Sequence, residues 1–587
     1  MGAWLLKAFS GEQPRISDNL LPPNAAQRAV NVRLDDGALT PLNTPMKVGE
    51  IDEPGVMRSI YRDGETWLGW PGYVTAVPGP VASDRLYIMG DGAPKMRIDG
   101  EEIPLAVPYP SAPLVGSVAG SPTDTKLAIV SRIYVYTFVT PFGEESEPCA
   151  ASNTLEWRPG QTITLTGFQA APAGARAITK QRIYRTQTGS SGTDLYFIAE
   201  RDASDAAFVD NVADDAFAEV LPSRAYNAPP DDLKGLTAMP NGMMAAFRGK
   251  DLFFSQPWLP HAWPEAYVLT CDYEIMALGA IGTSLIIMTK GKPYLAQGTD
   301  PATMQMVKMA SNLPCVNPYG VVDLGLAIAY PSHEGLVLAT ADGQAQIATS
   351  QLFNRQEWQA FNPLTICAGQ HNGRYVASYN SVTPDGKPAV GTLIINAEAS
   401  GAFLSRSDVR ATSFHHSIYE GALYFITISG EVKRFDAPGG APLNSYWKSK
   451  PLMLPAPENF ACIRIDTDEA LKLQDIANIN AARAAVKLAN ETMIQSPMGS
   501  ELNGAPIGVY RVAGDPLLPL PPMAKTVTVN VYADGVLKAA VTRAGEIVRL
   551  PSGFKARKWE IDVFGSMRVQ QIAVASTVTE LKAMANT

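Results

Sequence analysis

The 587 residues exceed the roughly 250–300 at which one hydrophobic core stops growing, so several domains are expected. A content of 46% hydrophobic and 18% charged residues excludes an intrinsically disordered chain. The formal net charge of -9, with no clustered basic stripe, excludes a protein that grips duplex DNA tightly, while a channel that DNA merely passes through stays open.

Glycine (48) and proline (46) are plentiful, as suits many short strands joined by tight turns. The dipeptides Asp63-Gly64, Asp91-Gly92, Asp99-Gly100, Asn241-Gly242, Asp342-Gly343, Asn372-Gly373, Asp385-Gly386 and Asp534-Gly535 flank apolar or alternating runs. Such pairs tolerate the positive φ of hairpin turns, so the chain reads as predominantly β.

Residues 1–56 read as an N-terminal arm and connecting segment. Residues 57–109 read as the first part of a β-propeller, with Trp67-Leu-Gly-Trp70 and Arg85-Leu-Tyr-Ile-Met89 supplying one blade. Proline removes a ladder donor and fixes φ, so the Pro-rich stretch 103–113 marks a boundary, as do 221–230 and the prolines at 455, 457, 516, 519, 521 and 522.

Residues 110–224 read as an inserted fibronectin-like sandwich. Arg132-Ile-Tyr-Val-Tyr-Thr-Phe-Val139 alternates as a half-buried strand does, and 161–166, 180–185 and 194–199 follow at sandwich spacing. A spacer or decoration role is expected for it, with receptor binding as the alternative. Residues 225–447 form the main propeller. Alternating strand, turn and apolar strand recur at 235–247, 275–288, 322–330, 366–378 and 412–427, roughly 40–47 residues apart, as propeller blades do. The apolar run 276–288 is interrupted by Gly279 and Gly282 and falls short of the roughly 20 residues of a membrane span, so it reads as two buried strands with a turn and no membrane anchor is expected.

Residues 448–587 read as a C-terminal β domain. Phe460-Ala-Cys-Ile-Arg-Ile465 is its first strand, and 526–535, 558–563 and 571–575 alternate cleanly. Residues 468–493, free of Gly and Pro, predict one long helical excursion with Leu473, Ile476, Ala477, Ile479 and Ala482 on one face. The fold class is therefore mainly β: a β-propeller core, an inserted fibronectin-like β-sandwich and a C-terminal β-sandwich carrying one long helix.

Five scattered cysteines (Cys149, Cys271, Cys315, Cys367, Cys462) without a CxxC pair read as buried, reduced thiols, and the apolar stretch in residues 1–6 is too short for a secretory signal. No nucleotide-binding glycine loop, nucleophile elbow or HExxH occurs, because His333-Glu334 lacks the second histidine. Adjacent His415 and His416 point to opposite faces of a strand and read as a partly exposed pair. His261, within Trp258-Leu-Pro-His-Ala-Trp-Pro264, reads as a packed loop corner. Asp466, Asp468 and Glu469 read as complements of the helix dipole rather than a calcium site. Asp231-Asp232 and Asp214-Asp215 read as solvated loop charges. No catalytic, cofactor-binding or metal-binding residue is assigned, although glycosidase carboxylates have no fixed spacing and escape such a search.

The run Phe9–Leu42, with Gly11, Pro14, Leu20-Leu-Pro22, Asn31, Gly37, Leu39 and Pro41-Leu42, resembles the start of podophage tail nozzle or hub proteins, which are virion structural proteins of the tail-tubular type. The stretches 142–148, 229–242, 254–264 and 290–301 resemble the same group, while the C-terminal third resembles it only loosely. The resemblance implies a non-enzymatic hexameric ring beneath a tail adaptor and, through it, the portal, with tail fibre or tip proteins as further neighbours. It also implies a channel that retains and conducts genomic DNA without sequence recognition, in a virion tail assembled in the bacterial host cytoplasm. The alternatives are a propeller-type tail enzyme acting on host polysaccharide and a receptor-binding fibre component.

Overall fold

The computed structural model describes residues 2–174, 176–189, 192–213, 216, 218–397, 402–468, 473–495, 518, 520 and 524–584. Two compact units divide the chain: residues 51–347 form one, and residues 1–50 with 348–587 form the other. The protein is mainly β and built on propeller-type blades.

In the unit 51–347, four sheets are antiparallel meanders of four strands, each strand pairing with its sequence neighbours. The first is Thr75–Pro78, Arg85–Met89, Lys95–Ile98 and Glu101–Pro104. The second is Lys234–Ala238, Met244–Arg248, Asp251–Phe254 and Leu269–Thr270. Ile275–Ile281, Ser284–Thr289, Tyr294–Gln297 and Gln305–Lys308 make the third, so the glycine-interrupted run is indeed two strands, turning at Gly282 with φ +55°. Val322–Asp323, Ala327–Pro331, Leu336–Thr340 and Ala345–Ile347 make the fourth. Neighbouring sheets bury a separate apolar cluster between each pair. Tyr87, Met89 and Met96 meet Leu236, Met244 and Phe253; Phe247 and Phe254 meet Leu278 and Leu285; Ile286 and Met288 meet Ile328 and Tyr330. Sheet packed face to face on successive sheet is the arrangement of propeller blades.

Sequence reading merged Trp67–Trp70 with Arg85–Met89 in one blade. The structure separates them: Thr66–Trp70 pairs only with Ser59–Asp63, in a hairpin packed through Trp70 and Leu68 on Leu86 and Ile88. The sandwich lies between the first and second blades, and its core gathers Leu114, Tyr134, Tyr136, Phe138, Ile163, Leu165, Ile183 and Tyr184. Tyr134–Val139 departs from the expected half-buried pattern, because all six residues are buried. Tyr134 and Tyr136 face the core, whereas Thr137 faces a buried carboxylate that closes over the opposite side. At the end of the core, Arg185 is fully buried against Asp210 at 2.8 Å, and the Tyr134 hydroxyl donates to the same carboxylate at 2.7 Å.

The second unit holds two more meanders. One is Cys367–His371, Arg374–Val382, Pro388–Asn396 and Phe403–Ser407. The other has three strands of its own, Ser413–Ser417, Ala422–Ile426 and Glu431–Arg434, and takes its fourth from the N-terminal arm, Met46–Glu50. The blades that follow the sandwich begin at residues 234, 275, 322, 367 and 413, as the repeat spacing predicts. The arm also supplies Ala3–Leu6 to pair with Val569–Ala575, and Ala26–Val30 to lie between Phe403–Ser407 and Ser445–Ser449. The C-terminal strands Val527–Ala533 and Ala556–Gly565 pack Val529, Val531, Trp559 and Ile561 against Trp447, Phe9 and Phe460.

The helix runs Leu473–Gln495, and the segment joining it to the preceding strand lies outside the described residues, as do Glu469, Asp214, Asp215 and the prolines at 516, 519, 521 and 522. Its expected apolar face is not buried at the described positions: Ala477 and Ala482 are exposed and Ile479 is half-buried. Asp466 pairs with Arg464 at 2.6 Å, and Asp468 accepts from Arg568 and Gln570 on the sheet, charge-assisted partners that local spacing does not reveal. All five cysteines are free and buried. No helix among the described residues is long and apolar enough to cross a membrane.

Because the arm strands join three sheets of one unit only, deleting residues 1–50 should abolish the thermal transition of the unit containing 348–587. The transition of 51–347 should survive, and calorimetry of the truncated protein separates the two.

Candidate functional site

The densest buried polar cluster of the described residues joins the sandwich to the second blade. Two short stretches build it: the sandwich turn Phe142–Pro148, and the loop between Asp251–Phe254 and Leu269–Thr270. The loop is rigid for local reasons. The Gln256 N–H donates to the Ala262 carbonyl at 2.8 Å, Ala262 N–H to Leu259 at 3.0 Å, and the Trp263 indole to the Pro260 carbonyl at 2.8 Å. Trp258 sits at φ +62° and its ring covers Gly242, where a Cβ would come within 2.4 Å of the indole. Only glycine fits there, at its own φ of +72°.

That loop drives His261 into the interior, 2% exposed, where Nε2 donates to the Glu145 carbonyl at 3.2 Å. Donation from Nε2 leaves Nδ1 as the unprotonated nitrogen of the neutral ring, 4.0 Å from a Glu144 carboxylate oxygen. The two neighbouring glutamates point into separate partner sets. Glu145 accepts from the Thr137 hydroxyl at 2.8 Å, the Tyr184 hydroxyl at 2.8 Å, Ser223 at 3.1 Å and the Arg182 guanidinium at 3.0 Å. Glu144 accepts from Thr140 at 2.9 Å and from Arg176. The linker closes the cluster, because the Asn227 side chain donates to Glu147 while its carbonyl accepts from the Trp263 N–H at 2.8 Å.

Both glutamates are less than a tenth exposed. A glycosidase pair needs one carboxyl group at the leaving oxygen and another at water or the anomeric carbon. Glu144 and Glu145, held by Arg176 and Arg182, are structural ion pairs instead. Burial lowers the His261 pKa below 6.5, with the neighbouring Glu144 opposing the shift. The Tyr184 hydroxyl is pushed up by burial and by the Glu145 charge, so it stays a proton donor at any ordinary pH.

A second polar cluster lies in the other unit. Asp436, at φ +46°, accepts from the Asn43 N–H at 2.7 Å and faces Arg33 at 3.1 Å and His371 at 3.5 Å. Burial works against its charge, yet His371, the Asn43 N–H and Arg33 hold its carboxyl below the usual range. It fastens the arm to the segment after the last blade. Beside it, a cavity of about 300 Å³ is lined by Arg33, Lys525 and Arg568 together with Asp468.

The remaining sequence candidates do not converge. His415 and His416 are half-buried on one strand, His333-Glu334 sits in the turn before Leu336–Thr340, and Asp231 and Asp232 are exposed in a loop. Among the described residues, no three His, Cys, Asp or Glu side chains are placed to share a metal ion. Sequence reading placed His261 as a packed corner but missed its partner. The signal was the run Glu144-Glu145 in the turn that directly follows the apolar strand Tyr134–Val139, a pair of charges close to the core.

No protein-family model matches the chain, and no curated protein sequence matches it. Among solved structures, the N-terminal domain of Nup159 aligns at 9% identity and a TM-score of 0.23, over 47% of this chain and 86% of that one. Virginiamycin B lyase from Staphylococcus aureus aligns at 7% and 0.20, over 55% and 100% of the two chains. Exo-beta-1,3-galactanase from Phanerochaete chrysosporium aligns at 8% and 0.20, over 78% and 99%. At such TM-scores the likenesses carry no argument about this chain's function.

Glu144→Ala would strand the Arg176 charge in the interior, and should cost the 51–347 unit about 3–5 kcal/mol in denaturant titrations. Glu144→Gln combined with Arg176→Gln should recover most of that loss. The histidine sets a pH dependence of known sign. Its folded-state pKa lies below the unfolded 6.5, so its contribution is complete above pH 6.5 and is lost as pH falls toward the folded value. Stability should therefore drop by up to about 1.4 kcal/mol per pH unit in that window, and His261→Gln should flatten the slope.

Proposed function

We propose that this protein is a structural ring component of a short-tailed bacteriophage tail, a nozzle or hub that passes genomic DNA without reading its sequence. One observation carries the reading. Two of the stretches that resemble podophage nozzle proteins, 142–148 and 254–264, meet where the buried His261 of the blade loop donates to the Glu145 carbonyl of the sandwich turn, a turn whose carboxylates are held by Arg176 and Arg182 of the same sandwich. The residues behind the resemblance are thus spent on holding two modules at a set angle, which is what a load-carrying conduit requires and a catalyst does not.

Charge supports the same reading. A conduit must let a polyanion slide, and dense Lys or Arg contacts would retain it through counterion release. With -9 per subunit, a ring of such chains carries a strongly negative total. The polysaccharide-hydrolase alternative needs a carboxylate pair open to substrate, and the adjacent pair Glu144 and Glu145 is consumed by arginines and hydroxyls.

The test is a particle reconstruction with a DNA-binding titration beside it. Six copies around the tail axis, and only weak, salt-sensitive duplex binding by the purified protein, are expected. An off-axis position or nanomolar affinity for DNA at physiological salt overturns the reading.

A further inference from the structure

The last blade carries both halves of a contact that one copy cannot make with itself. The turn joining Ser413–Ser417 to Ala422–Ile426 presents Ile418 and Tyr419, which are 83% and 93% exposed. A large aliphatic and an aromatic side chain held side by side in water at a hairpin tip are costly unless another surface covers them. Glu420 follows them in the same turn and is exposed as well.

The same blade also borders a cleft of about 610 Å³, shared with the preceding meander. Its apolar wall includes Tyr379, Val390, Val409, Phe425 and Ile428. Ile428 stands 77% exposed in the next turn of the blade, so it lies at the other end of the strand Ala422–Ile426 from the Ile418–Tyr419 tip. Arg410, Lys433 and Asp408 border the cleft; Lys433 pairs with Glu431 at 2.8 Å, whereas Arg410 is exposed and makes no ion pair with the described residues. Volume, apolar lining and a basic rim match a tip that ends in Ile, Tyr and Glu.

We propose that a second copy of this chain is the occupant: the Ile418-Tyr419-Glu420 tip of one subunit seats in the cleft of the next, with Glu420 toward Arg410. Tip and cleft are different surfaces of one chain, so the contact is heterologous, and repetition closes into a ring or runs on as a filament. This deepens the ring reading and rests on it for closure.

Cross-linking of the full-length protein tests it. The five native thiols are buried, so single variants Tyr419→Cys and Ile428→Cys each add one accessible thiol. Mixed and oxidised, the two should give a disulfide dimer far faster than Tyr419→Cys mixed with Val307→Cys, an equally open position elsewhere. Ile418→Ser with Tyr419→Ser should weaken self-association, read by sedimentation, at least about tenfold. Arg410→Glu should weaken it too, and Glu420→Arg in the same chain should restore part of the loss. Assembly that is unchanged in the serine variant, or cross-linking no faster than the Val307 control, sinks the contact while leaving a ring built by other surfaces. A wild-type protein that stays monomeric at the highest attainable concentration and lies off the tail axis sinks both.

Discussion

A β-sheet ends in a row of backbone N–H and C=O groups that must find partners, and the first fifty residues of this chain answer that requirement. Their strands pair with 569–575, with 403–407 and 445–449, and with 431–434, so three sheets of one unit are completed by a segment far from them in sequence. The side chains follow the backbone. Phe9 stacks edge-on against Trp447 at 4.9 Å, Glu12 meets Arg406 at 3.0 Å, and Asp436 holds Arg33 and the Asn43 N–H. Each contact spans some 400 residues of chain, and none would exist without strand pairing to set the register.

The other unit meets a different constraint, burial of charge. The strand Tyr134–Val139 is fully buried although it is an edge of its three-stranded sheet, and the Glu145 and Glu144 carboxylates accept from Thr137 on it and from Thr140 just beyond it. Burying them is tolerable because each is matched by an arginine and by hydroxyls already placed on the sheet. The ion pairs fix the sandwich turn, and directional hydrogen bonds from His261 and through Asn227 fix that turn against the blade loop, where hydrocarbon contacts alone would allow sliding. The junction between sandwich and blade is accordingly specified in orientation as well as in position, which suits a part of a larger assembly.

Much of this was legible in the sequence. Turn dipeptides and the repeat of alternating strands located the blades, because hairpin turns need positive φ and Asn-Gly or Asp-Gly supplies it cheaply. What stayed hidden was non-local. Met46–Glu50 shows no alternation in burial and is held by backbone pairing and the Lys47–Glu431 ion pair, so nothing in it announced a blade strand. Asp466 and Asp468 were read against the helix that follows them, while the partners of Asp466 and Asp468 on the sheet, Arg464 and Arg568, were not foreseen. The long helix was found from composition, but its face was drawn as if it packed on a core, and side-chain periodicity cannot say whether a partner is present. His261 was placed correctly as a buried corner, since the proline and tryptophan residues around it constrain the loop locally. Its engagement with the Glu144–Glu145 turn, more than a hundred residues earlier, lay outside anything local spacing reports.

The shared blade also orders the life of the chain. Translation releases residues 51–347 as a continuous stretch, so their meanders and sandwich can form while synthesis continues. The strand at 46–50 has no partner until residue 434 has left the ribosome, and the strand at 3–6 none until 575. Val32–Arg33 and Thr40–Pro41 can pair with each other at once, but the other arm strands wait for partners at 403–407, 431–434 and 569–575, the situation in which exposed strand edges invite mispairing with other chains. Met-Lys-Val-Gly-Glu at 46–50, with its Lys and Glu, is a poor template for aggregation, whereas Ala-Trp-Leu-Leu at 3–6 is wholly apolar and waits longest, so it is the arm strand most open to mispairing.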